Sequence, residues 1–139
     1  MVLMFQKEVA QRIQSAWDKK SYGIISVLAQ NTWNIKKVAD LSQGDFFPKP
    51  KISSRVLAFE KKDDRPELNI KFLKFVKHCF MDRRKVVINK LKSYNGGKSF
   101  SKIEIEKILE GLGLDKNVRA ENISPKNFVL LYDKILGKS

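Results

Sequence analysis

The residues of this chain whose types and spacing suit chemistry fall in three places. The first is Asp45-Phe46-Phe47-Pro48-Lys49-Pro50-Lys51-Ile52. Proline fixes its own φ and pushes the residue before it toward extended geometry, so a stiff loop that cannot turn helical is expected here. Rings and two lysines on such a loop suit a flat anionic ligand, above all a nucleobase with its phosphate. Stacking an aromatic side chain on a base contributes ~1–3 kcal/mol. On composition alone, Phe46 and Phe47 equally suit anchoring the loop to a core. The second place is Arg83-Arg84-Lys85, followed by Asn89 and Lys90. On a helix, Lys85 and Asn89 share a face four residues apart, and guanidinium forks match phosphate oxygens in pairs. The alternative is a solvated helix start. The third is Arg119-Ala120-Glu121-Asn122-Ile123-Ser124. It is equally ambiguous and reads first as a structured loop pinned by Arg–Glu and Asn–backbone bonds.

Other chemistry is poorly supported. His78 is the single histidine, and Lys77, Cys79 and Asp82 around it have no metal-ligand spacing. Cys79 lies on an apolar stripe and reads as core. Gly96-Gly97-Lys98-Ser99 ends like a phosphate-binding loop, but the position that needs the first glycine is Lys92, and no strand is expected before it. No carboxylate pair or nucleophile–base pair stands out. One cysteine excludes an internal disulfide and a cysteine-based zinc site, so a reducing cytoplasm is the expected compartment.

Charge narrows the partner. The 139 residues carry 28 basic and 15 acidic side chains, a net +13. Residues 1–60 hold nine basic against five acidic groups, and residues 61–139 nineteen against ten. Such an excess favours polyanions, nucleic acid before acidic membrane, although a lysine-rich genome would raise the count without any partner. No run approaches the ~20 apolar residues of a membrane span. A basic amphipathic helix with interfacial tryptophan is also missing, so neither membrane nor metal is expected as a partner.

The elements that must position these groups follow from periodicity. Phe5, Val9, Ile13 and Trp17 recur every four residues and predict an amphipathic helix over 3–17. Residues 22–31 read as a short buried helix, with a strand the alternative for so short an apolar run. A strand follows over about 33–41, with a bulge at Lys36-Lys37, and its antiparallel neighbour spans Ile52 to Phe59 across the proline loop. Lys61-Lys62-Asp63-Asp64-Arg65-Pro66 is charged, closed by proline and followed by a change of period, which marks a domain boundary. Beyond it, Leu68, Phe72, Phe75, Val76, Cys79 and Phe80 form one helical stripe. Val86 or Val87, Ile88 and Leu91 form a second, with Asp82 as a candidate cap. Ser101-Lys102-Ile103-Glu104 has the spacing of a capping box, with Gly113 a stop after its helix. Ser124-Pro125 starts a last helix through Phe128, Leu131, Tyr132 and Ile135. Residues 66–137 thus predict a bundle of about four helices.

Five blocks in order then resemble one family. Gln6-Lys7-Glu8-Val9-Ala10, Tyr22-Gly23-Ile24-Ile25-Ser26-Val27, and Phe46-x-Pro48-x-Pro50-Lys51-Ile52-x-Ser54 resemble the rRNA adenine N6-dimethyltransferases. Phe80-x-x-Arg83-Arg84-Lys85 and Arg119-Ala120-Glu121-Asn122-Ile123-Ser124-Pro125 resemble more narrowly its small-subunit (kasugamycin-resistance) branch. The resemblance spans essentially the whole chain. It implies an α+β fold: residues 1–62 as the C-terminal portion of a Rossmann-like methyltransferase domain, and residues 66–139 as a small all-α, rRNA-binding domain. The implied reaction dimethylates two adjacent adenosines near the 3′ end of small-subunit rRNA, with S-adenosylmethionine as methyl donor. The implied partner is the rRNA of an immature 30S-type subunit.

By position, the resemblance makes Phe46 the ring that stacks on the flipped adenine, since a base must leave its helix to be modified. Pro48 and Pro50 give rigidity, Lys49 and Lys51 add charge, and Arg83, Arg84, Lys85, Asn89 and Arg119 contact RNA. The family's Gly-rich cofactor loop, its acidic residue for the ribose and its Asn-Leu-Pro-Tyr-type motif have no counterpart in this sequence. The expectation is therefore a truncated chain that alone neither binds the donor nor methylates. The first helix would have lost the sheet it packs on, and the exposed half-domain face would be open to self-association. The alternative is a non-catalytic basic helical module that binds RNA or ribosomes.

Overall fold

The computed structural model describes residues 1–42, 53–62, 69–92, 94 and 100–136. Within these, strand β1 (Val2–Gln6) runs into helix α1 (Lys7–Gln14), and α2 (Ile24–Thr32) into β2 (Trp33–Leu41). Strand β3 (Ser54–Lys61) completes a sheet of order β1-β3-β2, antiparallel at both junctions. Helices α3 (Ile70–Phe80), α4 (Val87–Lys92), α5 (Lys102–Gly111) and α6 (Pro125–Ile135) follow, with a 3₁₀ turn at Ala120–Asn122.

The predicted helix over 3–17 is corrected at its start. Residues 2–6 are a strand, paired from Val2 opposite Ala58 to Gln6 opposite Ser54. A run of consecutive apolar residues suits strand and helix alike, and the partner strand more than fifty residues away decides it. The four-residue stripe fails accordingly: Ile13 is buried, but Val9 and Trp17 are exposed. Helix α1 instead packs Ala10 and Ile13 onto Leu57 and Phe59 of β3, with Phe5 beside them. The helix thus has a sheet beneath it, and the uncovered surface is the opposite sheet face. There Val2 and Met4 are 60% and 63% exposed, in register with Ala58 and Val56.

The strand pair and the ends of the last two helices agree closely with expectation. The strand pair β2–β3 forms, with the register shift falling between Lys37 and Ala39 rather than at Lys36-Lys37. Arg55 ties the pair together, donating at 2.7 Å to Asp40 and at 3.0 Å to Gln14 of α1. That guanidinium holds the Asp40 carboxyl below the usual carboxylate range. Helix α5 begins with a full capping box, since the Ser101 hydroxyl accepts from the Glu104 N–H and the Glu104 carboxylate from the Ser101 N–H, both at 3.2 Å. It ends on Gly113 at φ +75°, with the Gly113 and Leu114 N–H groups returning to Glu110 and Leu109. Only glycine adopts that backbone at little cost. Ser124 caps α6 through the Asn127 N–H, with Pro125 in the first turn.

The main core joins α3, α4, α5 and α6 through Phe75, Val76, Ile88, Leu109, Phe128 and Leu131. It also contains Tyr22 and Val27, which precede the charged segment in sequence. Helix α2 thus faces two ways, giving Val27 to the helices and Ala29 to the sheet.

Candidate nucleic-acid interface

The two parts of the chain meet along a seam made mainly of backbone groups and a few long side chains. After α1, Asp18 takes φ +71°, a left-handed conformation that aspartate tolerates better than most residues. Its N–H donates to the Glu121 carbonyl at 2.7 Å, and its carboxylate accepts from the Asn122 side chain at 2.8 Å. The turn Trp17–Lys20 is thereby held against the 3₁₀ turn. Nearby, the Asn31 amide donates to the Pro125 carbonyl at 3.0 Å. Tyr22 is fully buried, and desolvation pushes its hydroxyl well above the ordinary tyrosine range.

Arg83 closes the seam. Its guanidinium donates to the carbonyl oxygens of Lys20 (3.2 Å) and Tyr22, lies 3.4 Å from the Glu121 carboxylate, and sits 5.7 Å over the Phe80 ring. The predicted helix through Arg83, Arg84 and Lys85 does not form. Residues 81–86 are bends and a turn, and α4 starts only at Val87, whose N–H donates to the Val118 carbonyl at 2.8 Å. Asp82 accepts from the Arg84 N–H at 3.1 Å, so it closes this turn instead of capping α4. That bond holds its carboxyl below the usual range. Lys85 and Asn89 consequently do not share a helical face.

The turn leaves Arg84 and Lys85 in solvent, with the Arg84 side chain 92% exposed. Asn89 and Arg119 are exposed as well, the Arg119 N–H donating to Asn122 at 3.0 Å. The 119–124 segment is pinned as expected, but its glutamate pairs with Arg83, 38 residues away, where the sequence suggested Arg119. Phe46, Pro48, Lys49, Pro50 and Lys51 lie outside the described residues. Cys79 is buried, and burial pushes its thiol up to about 12. His78 faces the Lys90 carbonyl at 2.8 Å and the Tyr94 ring. Among the described residues no group of acids, histidines and cysteines could hold a metal ion. Nor is any helix there long and apolar enough to cross a membrane.

A cleft of about 240 Å³ lies between Gln14, Gln30, Trp33, Asn34, Ile35 and Lys62. Its polar groups serve the fold: the Gln30 amide closes the end of α1 by donating to the Ile13 and Ser15 carbonyls, and Lys62 donates to the Gln30 carbonyl. In a Rossmann-like fold a nucleoside cofactor such as S-adenosylmethionine sits at the loop between the carboxyl end of a strand and the helix that follows it. The strand-to-helix junction described here, Gln6–Lys7, passes directly from β1 into α1 with no loop and no glycine. The described residues do not fit that group.

The three-stranded antiparallel sheet with its helices is a fold shared with solved structures. A dimethyladenosine transferase from Plasmodium falciparum superposes with a TM-score of 0.79 at 22% identity, over 99% of this chain and 57% of that one. The 23S rRNA methyltransferase ErmE does so with a TM-score of 0.63 at 18% identity. The chain belongs to the ribosomal RNA adenine dimethylase family, which it matches over residues 1–135. It is 44% identical over 132 residues to ribosomal RNA small subunit methyltransferase A of Bdellovibrio bacteriovorus, covering 95% of this chain and 48% of that protein. The namesake from Pediococcus pentosaceus is 35% identical, with 97% and 46% covered. The chain therefore spans about half the length of the curated relatives it matches.

Proposed function

We propose that this chain supplies the RNA-handling part of an S-adenosylmethionine-dependent rRNA adenine N6,N6-dimethyltransferase. Its target would be two adjacent adenosines near the 3′ end of small-subunit rRNA, in an immature subunit in the cytoplasm. The observation that carries the reading is the unbroken family match over residues 1–135, which takes in sheet and helices together. On this reading residues 1–62 are the closing portion of a Rossmann-like domain, and residues 66–139 are a helical rRNA-binding domain.

Phe46 would stack on the extruded adenine, stiffened by Pro48 and Pro50, with Lys49 and Lys51 toward the RNA backbone. Arg84, Lys85, Asn89 and Arg119 would meet phosphates and the shape of a structured RNA. Arg83 would work from behind them, since its guanidinium is engaged within the seam. The methyl group is supplied by S-adenosylmethionine when the complete family protein holds it. The present chain would bind RNA without binding the donor.

The test is a titration of the chain with a 3′-terminal fragment of small-subunit rRNA across a salt series, with calorimetry against S-adenosylmethionine in parallel. The expected result is RNA binding that weakens linearly in log salt, and no heat from the donor. Replacing Arg84 and Lys85 by alanine should flatten the slope by ~0.7–0.9 for each phosphate that is no longer neutralised. Salt-independent binding, or micromolar affinity for the donor, would overturn the reading.

A further inference from the structure

Trp17 is the single aromatic side chain that stands exposed among the described residues, at 46%. Phe5, Trp33 and Tyr94 are half-buried and pack on other rings, and most other rings are buried. Among the described residues no ring packs against Trp17. The helical period that would have buried it stops at Gln14, and the left-handed Asp18 turns the chain away directly after it.

The surroundings are cationic. Lys19 and Lys20 follow in the same turn and are exposed. The Arg83 guanidinium donates to the Lys20 carbonyl, so the turn that carries Arg84 and Lys85 is tied to the Trp17–Lys20 turn through their neighbour. The acids here are committed to partners: Asp18 to Asn122, Glu121 to Arg83, and Asp82 to the Arg84 backbone and, at 3.5 Å, its guanidinium. An indole beside several cations is the composition that grips unpaired nucleic acid, the ring taking a base and the cations its phosphates.

We infer that Trp17, with Lys19 and Lys20, is a stacking site for an unpaired base of the RNA, adjoining the phosphate-facing turn of Arg84 and Lys85. The inference rests on the RNA-binding reading above and adds a site on the other side of the seam. It assigns single-stranded RNA as the ligand: a duplex hides its base faces, whereas an unpaired base offers one to any ring.

The experiment uses the whole chain carrying Trp33→Phe, which leaves Trp17 as its one indole, and a short oligoadenylate as probe. A hairpin RNA serves as the structured control. Oligoadenylate should quench the Trp17 emission. Trp17→Ala should weaken its binding by roughly 5- to 100-fold, with the salt slope unchanged because the phosphate contacts remain. Trp17→Phe should keep most of the affinity, which separates a missing ring from a damaged fold. Unchanged affinity in Trp17→Ala with no quenching would overturn the proposal. If Arg84→Ala and Lys85→Ala still weakened binding in that case, the RNA-binding reading would stand without it. A parent chain that bound neither oligoadenylate nor hairpin would overturn both.

Discussion

The Tyr22 hydroxyl donates a 2.7 Å hydrogen bond to the carbonyl oxygen of Ile123, 101 residues further along the chain. Both residues are fully buried, and Tyr22 packs beside Phe80 at 6.1 Å between ring centroids. The bond joins the turn before α2 to the segment before α6, so the chain that leads into α2 is fastened into the core of the helices. Tyr22→Phe keeps the ring but leaves a buried carbonyl without its donor, which costs ~1–3 kcal/mol. Tyr22→Ala adds a cavity and should cost ~3–5 kcal/mol. Urea unfolding of the two variants checks the order, and an undiminished stability in Tyr22→Phe would mean that the hydroxyl contributes nothing.

Arg83 should contribute more through carbonyl oxygens than through its ion pair. The Arg83–Glu121 pair is partly exposed, with side chains 39% and 29% accessible, and such pairs contribute below ~1 kcal/mol. Hydrogen bonds from a charged donor contribute ~1.5–3 kcal/mol. Arg83→Ala is therefore expected to destabilise the chain well beyond Glu121→Gln. Arg83→Lys should recover little, because an ammonium cannot span two carbonyls and a carboxylate with the same fork. Chemical denaturation of the three variants decides this.

Alkaline stability should depend on Cys79. Its thiol is raised from 9.0 to about 12 by burial, so the unfolded chain loses this proton first. Between these values the folded state binds more protons, and stability falls as pH rises, by at most ~1.4 kcal/mol per pH unit from this group. Below pH 9 the group has no effect. Cys79→Ala should make the thermal melting curve less steep in pH between 9 and 12, and an unchanged steepness would assign the alkaline loss to other groups, the buried Tyr22 first.

In a complete family enzyme, Phe46→Ala should depress turnover more than RNA affinity. A ring that holds one extruded base matters most when the reacting amine must be presented, while phosphate contacts carry most of the affinity. Single-turnover rates and equilibrium binding measured on the same RNA separate the two. Equal losses in both would indicate a scaffold role for the loop.

The uncovered face beside β1 should drive self-association. Val2 and Met4 are exposed on a strand whose one partner among the described strands is β3. No charge or proline interrupts Val2 to Phe5, and such an edge pairs readily with another chain. The opposite edge, β2, carries Lys36, Lys37 and a register shift. Met4→Lys should lower the apparent mass in sedimentation at high protein concentration, whereas Val38→Lys on β2 should not.

Local rules made several features legible in advance. The capping box at Ser101 and Glu104, the Ser124-Pro125 start and the Gly113 stop each depend on residues within one helical turn, and all three form. The β2–β3 pair was readable because its alternation is local and a short connection makes the two strands neighbours. The first strand was not: Val2 to Phe5 fits either period, and only β3 settles it. The turn at residues 82–86 was hidden for a related reason, since Val118 takes the N–H of Val87 at the start of α4.

The amino-acid order by itself determined the basic charge, the helix ends, the strand pair and the likeness to the rRNA adenine dimethylases, because composition, capping and ordered motifs are properties of short segments. The tertiary structure alone decided that Arg83 faces inward while Arg84 faces solvent, that Tyr22 belongs to the helical core, and that Arg83 is tied to the Lys20 carbonyl in the turn that holds the exposed Trp17. Each of those depends on contacts between groups some forty to a hundred residues apart, and the closing of such loops leaves no periodic trace in the sequence.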